Sequence, residues 1–303
     1  MGATGATAAS PALSRPQLLA ASPALGGALY RAGARVLRAV PAGMRHAAAT
    51  PGGTAWFWLS AAQRRAALDN YAAALGLDRS DPRVAHVARR AFQNYGRMLL
   101  DFLLLGDLSA VEVNARVSAA GLENIDAGLA AGRGVILALP HMGSWDMAAA
   151  FASVQGYPIS AVTERFPGSL DDAVVGTRRR LGMDVIPLDR SAVRSIMQAL
   201  AANRIVALVC DLEQGPGVAV RFFGRRAVVP GGPAAFAIKT GAALLPTFVY
   251  GTRDGRYHGE VHQPLAWSPS DSKESLTQRI IDRFEEFIKE RPDQWYAFRP
   301  MFS

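Results

Sequence analysis

His141 and Asp146, five residues apart in H-M-G-S-W-D, are the side chains whose types best suit moving a proton. A histidine acts as general base only in the right tautomer and orientation, and a carboxylate on its other ring nitrogen fixes both. The other histidines, His46, His86, His258 and His262, have no carboxylate five positions on. The spacing alone is a weak signal, so its surroundings carry the reading. Residues 135–139, V-I-L-A-L, are an apolar run with the length of a strand buried on both faces, and Pro140 ends it. Gly143 permits close backbone approach, and Ser144 is an N-cap candidate for an apolar helix through Met147, Phe151 and Val154. This puts a histidine at the carboxyl end of a strand, where open α/β sheets hold ligands. Asp146, in the first turn of the helix, is expected to fold back onto the ring. Ser144 stands outside a G-x-S-x-G elbow, which disfavours a serine hydrolase.

The elements that must position this pair follow from the rest of the chain. Its 303 residues, half of them hydrophobic, suffice for one large domain over residues 24–303. A helical portion is expected over 24–105 and an α/β core over 106–303. Residues 1–23, small and polar, read as a mobile extension without the basic start of a signal peptide. The net charge of +8 and pI near 10.1 suit an anionic partner. One cysteine, Cys210, excludes an internal disulfide. No apolar run reaches the roughly 18 residues of a membrane span, so membrane contact is expected to be peripheral. The arginines are not interleaved with aromatics in any nucleic-acid module, and no H-E-x-x-H or similar spacing calls for a metal. A monomer is expected.

A helix over 25–40 would carry Arg31, Arg35 and Arg38 on one side and Leu25, Leu29, Val36 and Val40 on the other. Such a helix can lie in a lipid interface or pack on the body, and both readings stand. Pro51-Gly52-Gly53 predicts a break before Trp56, Phe57 and Trp58, a cluster that suits either core or interface. Helices follow over 61–75 and 82–105, the second capped by Asp81 with Pro82 first. Strands are expected over 111–117, 158–162, 185–187 and 205–209, with helices over 122–131, 170–181, 192–202 and 234–240 between and after them. The fold class is therefore α/β, with a mixed, mainly parallel central sheet flanked by helices.

H-M-G-S-W-D resembles the H-x4-D signature of the glycerolipid acyltransferase superfamily. Its H-x-G-x-W-D form is similar to the branch holding lipid A acyltransferases and actinobacterial phosphatidylinositol mannoside acyltransferases. Three further stretches resemble that branch in order: D-x-E-x-G from Asp211, V-x-V-x-F-F-G from Val218, and P-x-G-P-A from Pro230. The closing R-P-D-Q-W-Y-A-F-R, residues 291–299, resembles its P-E-Q-W-x-W motif. The resemblance covers residues 91–298. It implies that His141 deprotonates an acceptor hydroxyl that attacks an acyl thioester, with Asp146 supporting it, and that no cofactor is permanently bound. Backbone N–H groups after Gly143 would meet the oxyanion.

The donor implied is acyl-CoA or an acyl carrier protein, and the acceptor a membrane glycolipid at the cytoplasmic face, foremost a mannose hydroxyl of a phosphatidylinositol mannoside. A lipid A-type or lysophospholipid acceptor, or an impaired membrane-binding homologue, is the alternative. Glu164 and Arg165 match a Glu/Arg pair that borders the acceptor site in the branch. Coenzyme A phosphates suit arginine forks, for which Arg179, within Arg178-Arg179-Arg180, and Arg225 are the candidates. Phe222 and Phe223 could line an acyl tunnel or belong to the core. One departure stands out. The branch usually reads V-E-V-D-F-F-G, with its glutamate near the histidine, whereas this chain has Ala219 and Arg221. Glu213 is the candidate substitute.

Overall fold

A computed structural model describes residues 25–214, 217–268 and 270–302. The expected extension over 1–23 lies outside the described residues. The chain begins with helices α1 (Leu25–Ala39), α2 (Ala42–Leu59), α3 (Ala61–Leu75) and α4 (Pro82–Leu105). The start of α4 is chemical: Asp81 accepts the Arg83 N–H at 2.9 Å, and Pro82 occupies a first-turn position that needs no N–H. Pro51-Gly52-Gly53 does not break the chain but sits inside α2. A Cβ on Gly53 would lie 2.5 Å from Gln93 Cα, so the glycine lets α2 cross α4 backbone against backbone. That packing outweighs the missing proline N–H.

Residues 111–117, expected as a strand, instead form helix α5 (Ala110–Arg116), and strand β1 (Val117–Ala120) follows it. Ser109 and Glu112 make a reciprocal capping box, a stronger signal than the valine alternation. Then come α6 (Leu122–Ala130), β2 (Val135–Leu139), α7 (Trp145–Val154), β3 (Ile159–Thr163), α8 (Ser169–Arg180), β4 (Asp184–Pro187), α9 (Ala192–Ala201) and β5 (Ile205–Val209). A hairpin of β6 (Val218–Phe222) and β7 (Arg225–Val229) precedes α10 (Gly232–Thr240), β8 (Ala243–Gly251), β9 (Tyr257–Val261), α11 (Lys273–Glu290) and a 3-10 turn, Pro292–Gln294.

The main sheet has seven strands in the order β1-β9-β8-β2-β5-β3-β4. Its pairings are parallel except β8 with β9, so it is the mixed, mainly parallel sheet expected. β2 is buried throughout. Val135, Leu137 and Leu139 enter one core with Met147, Ile159 and Leu245, while Ile136 and Ala138 enter the other with Phe92, Leu244 and Phe284. A strand with two cores cannot alternate with polar residues, which is why it reads as a continuous apolar run.

α1 packs on α8 through neither of its expected faces. Gly27 donates its N–H to Ser169 Oγ at 3.0 Å, and a Cβ there would lie 2.5 Å from Ser169 O. Leu25, Leu29 and Val36 stay exposed, as do Arg31, Arg35 and Arg38. No described helix is long and apolar enough to cross a membrane.

Candidate active site

β2 and β5 are parallel neighbours with Leu139 opposite Val209, and Cys210 N–H donates to Leu139 O at 2.9 Å. Two residues past each strand, the same register sets His141 beside Asp211. Asp211 Oδ1 accepts the His141 ring at Nδ1 (2.6 Å) and the His141 backbone N–H (3.0 Å), while Oδ2 accepts Trp295 Nε1–H at 2.7 Å. The carboxylate is wholly buried, and these donors replace the water it has lost. Because it accepts at Nδ1, the hydrogen-bond network assigns the proton there and leaves Nε2 as the basic nitrogen.

Asp146 is therefore not the partner of His141. From the first turn of α7 it faces α8 and takes Arg178 in a fork, Nε to Oδ1 at 2.7 Å and Nη2 to Oδ2 at 3.1 Å, with both residues buried. The Phe102 ring lies 5.6 Å from the Arg178 guanidinium. Arg178 Nη1 is buried without a partner. Ser144 makes no side-chain cap bond. Gly143, at φ 59°, has Val249 O where a Cβ would go, and its N–H donates to Gln294 O at 3.2 Å, so that N–H is engaged rather than waiting for an oxyanion.

The closing segment straps this loop down. Met142 bridges to Trp295, and the Tyr296 N–H donates to His141 O at 2.7 Å. Tyr71 OH donates to Trp295 O, and Asn70 Nδ2 to the carbonyls of Ala297 and Arg299 at 2.9 and 2.7 Å. Phe222 and Phe223 stack at 4.6 Å and pack on Trp295 at 5.7 and 5.6 Å. They buttress the strap, and neither lines the large cavity beside His141.

A cavity of about 1200 Å³ opens beside the pair. His141, Trp145, Asp146, Arg178 and Tyr296 line it near the strand ends, and apolar side chains such as Leu139 and Val249 line its depth. Cys210 also lines it, but burial, and then the charge of Asp211, push its thiol pKa well up, so no thiolate stands there. Among the described residues no group of three or more His, Cys, Asp or Glu could hold a metal ion.

Glu164 and Arg165 do line the cavity, but not as a pair. Glu164 accepts from Gln214 Nε2 at 2.9 Å, and Arg165 holds Asp189 at 2.9 Å and Asp171 at 3.8 Å. Ser191 first, then Arg165, hold the Asp189 pKa down at about 2. Glu213 is exposed and off the cavity. Arg179 is likewise exposed and outside the lining, because the α8 period turns Arg178 inward instead. Arg225 is exposed and stacks on Phe302 at 4.8 Å.

Ala219 and Arg221 are exposed on β6, so a carboxylate at either position would point away from the cavity. Asp211 occupies the place that Glu213 was expected to fill. Arg299 was not singled out from the sequence. It lines the cavity and has no ion pair among the described residues. Its signal was position alone, just past the strap.

Residues 16–303 match the family model described as bacterial lipid A biosynthesis acyltransferase. A phosphatidylinositol mannoside acyltransferase of Mycobacterium tuberculosis is 37% identical over 187 residues, 60% of this chain and 58% of that protein. The chain thus spans under two thirds of the length of that relative. One of the same name from Mycolicibacterium smegmatis is 34% identical over 220 residues, 71% of each. A lipid A biosynthesis acyltransferase of Haemophilus influenzae is 25% identical over 179 residues, 58% of this chain and 55% of that protein.

Proposed function

Because this chain belongs to the bacterial lipid A biosynthesis acyltransferase family, we propose that it transfers a fatty acyl group from acyl-CoA to a mannose hydroxyl of a phosphatidylinositol mannoside, working peripherally at the cytoplasmic face of the membrane. The observation that carries the reading is the His141–Asp211 pair at the wall of a large, mostly apolar cavity. Such a cavity suits acyl chains, and the names of two relatives point to the acceptor.

In this mechanism His141 Nε2 takes the proton of the acceptor hydroxyl as its oxygen attacks the thioester carbonyl. Asp211 stabilises the imidazolium that results. The tetrahedral intermediate collapses to an ester and the coenzyme A thiolate, which receives the proton back from Nε2. General base catalysis of this kind contributes about 10²–10⁴-fold. Arg178 Nη1, a buried donor without a partner, is available to the acyl carbonyl oxygen. Of the cavity-lining guanidinium groups, Asp146 balances Arg178, and Asp189 with Asp171 balances Arg165. Arg299 remains for a phosphate of the donor or of the lipid head.

The test is mass spectrometry of products from the purified protein with acyl-CoA and candidate acceptors in vesicles. A mannoside gaining one acyl chain is the expected result. Acylation of a lysophospholipid or a lipid A precursor in its place would move the acceptor, and no acyl ester with any of them would overturn the reading.

A further inference from the structure

We infer that the corner between α2 and α3, led by Trp58 and Leu59, is an anchor that inserts into an anionic bilayer and presents the Arg299 end of the cavity to it. The inference rests on the reading that the substrates are membrane lipids. Trp56, Phe57 and Trp58 have separate surroundings. Phe57 is core, and Trp56 packs on Phe92 at 5.6 Å and on Tyr95 at 5.5 Å. Trp58 is 61% exposed and Leu59, next to it, 84%. A tryptophan and a leucine side by side on a corner gain nothing from water and much from a headgroup boundary, where an indole can keep its N–H wet.

The same corner is a wall of the cavity. Trp56 and Gln63 both line it, and Trp56 Nε1–H donates to Gln63 Oε1 at 2.8 Å across the turn. Arg299 lines the cavity too, and its carbonyl is held by Asn70 of α3. Trp58 and Leu59 therefore stand next to residues of the cavity wall.

Charge identifies what receives the corner. The first 68 residues contain seven arginines and no Asp or Glu; among the described ones Arg45 is buried, Arg31, Arg35 and Arg38 are exposed on α1, and Arg64 and Arg65 stand at the corner. Arg64 and Arg65 flank the corner, with the Arg64 guanidinium 5.4 Å from the Trp58 ring. A protein partner is not specified by two arginines, Arg65 exposed and Arg64 half-buried, beside two exposed apolar side chains. An anionic lipid surface is, since arginines reach phosphates while the apolar pair enters the acyl boundary. The corner lies at the far end of α2 from α1, about 27 Å for 18 residues at 1.5 Å each. The corner is therefore separate from the exposed apolar stripe of α1.

The experiment uses the whole protein and vesicles of phosphatidylcholine with and without phosphatidylglycerol. Trp58→Ala with Leu59→Ala should lower vesicle affinity about a hundredfold, about tenfold for each of the two large apolar side chains that no longer enters an apolar phase. Arg65→Glu should weaken binding only where phosphatidylglycerol is present. Lipids brominated on the acyl chain should quench wild-type tryptophan emission more than that of Trp58→Phe, which should still bind. Equal quenching of both, or unchanged affinity of the double variant, would overturn the anchor. So would a double variant whose only change is in oligomeric state by light scattering. Binding is read without turnover. A wild type that binds through this corner yet transfers no acyl group leaves the anchor standing and sinks the acyltransferase reading.

Discussion

Asp211→Asn separates the geometry of the site from its sequence motif. The carboxylate accepts from His141 N, His141 Nδ1 and Trp295 Nε1. An asparagine has one acceptor oxygen, so whichever way the amide turns, an NH₂ confronts an N–H. With the NH₂ toward the histidine, the ring must carry its proton on Nε2 and is no longer a base. With the NH₂ toward Trp295, the indole N–H is buried and unpaired, costing about 1–3 kcal/mol, and the imidazolium loses its counter-charge. Either way kcat/KM should fall by about 10²–10⁴-fold with the protein still folded. Asp146→Asn should act first on stability, and on turnover only through the looser Arg178. It leaves the His141–Asp211 bond intact but strips the buried Arg178 of its counter-ion, a loss of about 3–5 kcal/mol of stability. The assay is acyl transfer per folded molecule, with urea denaturation on the same samples. If Asp146→Asn is stable but inactive while Asp211→Asn keeps more than a small fraction of turnover, the pairing described here is not the working one.

His141→Ala should abolish transfer while vesicle binding, read by sedimentation, stays at the wild-type level. Arg299→Ala should raise the KM for whichever substrate brings the phosphate more than it lowers kcat, and Arg179→Ala should change neither, as steady-state kinetics on both substrates will show. Ala219→Glu should leave the pH profile of kcat/KM unaltered, since that side chain faces solvent; a shifted acidic limb would mean that β6 is misplaced. Cys210 should resist iodoacetamide at about pH 8 in the folded protein and react after denaturation, because burial holds its thiol protonated well above the usual range for cysteine; rapid labelling of the native chain, read by intact mass, would contradict that.

Local chemistry made much of the fold legible. β2 and β5 were bounded correctly because strands buried on both faces are uninterrupted apolar runs, and α4 because Asp81-Pro82 stands just before a helical apolar period. The misreadings arose where distant packing or a second local signal decided the outcome. Pro51-Gly52-Gly53 is a breaker in isolation, and becomes helix because Gly53 meets Gln93. The histidine was legible as the reactive group at a strand end, but its partner was not, because a five-residue spacing is visible in sequence whereas a contact across 70 residues is visible only in register. That register could have been inferred. Val135–Leu139 and Ile205–Val209 are strands of equal length that both end before polar residues, so laying them side by side pairs His141 with Asp211. Arg178 was missed in favour of Arg179 because a run of three like residues does not say which one the helix turns inward.

The strap also imposes an order on synthesis. Trp295, which completes the hydrogen bonds of Asp211, is translated 84 residues after it, and β8, which flanks β2, comes between. Until those segments leave the ribosome, His141 and Asp211 have no roof and β2 has one neighbour fewer. A nascent chain therefore forms its helices α1–α4 before the segments that complete the site.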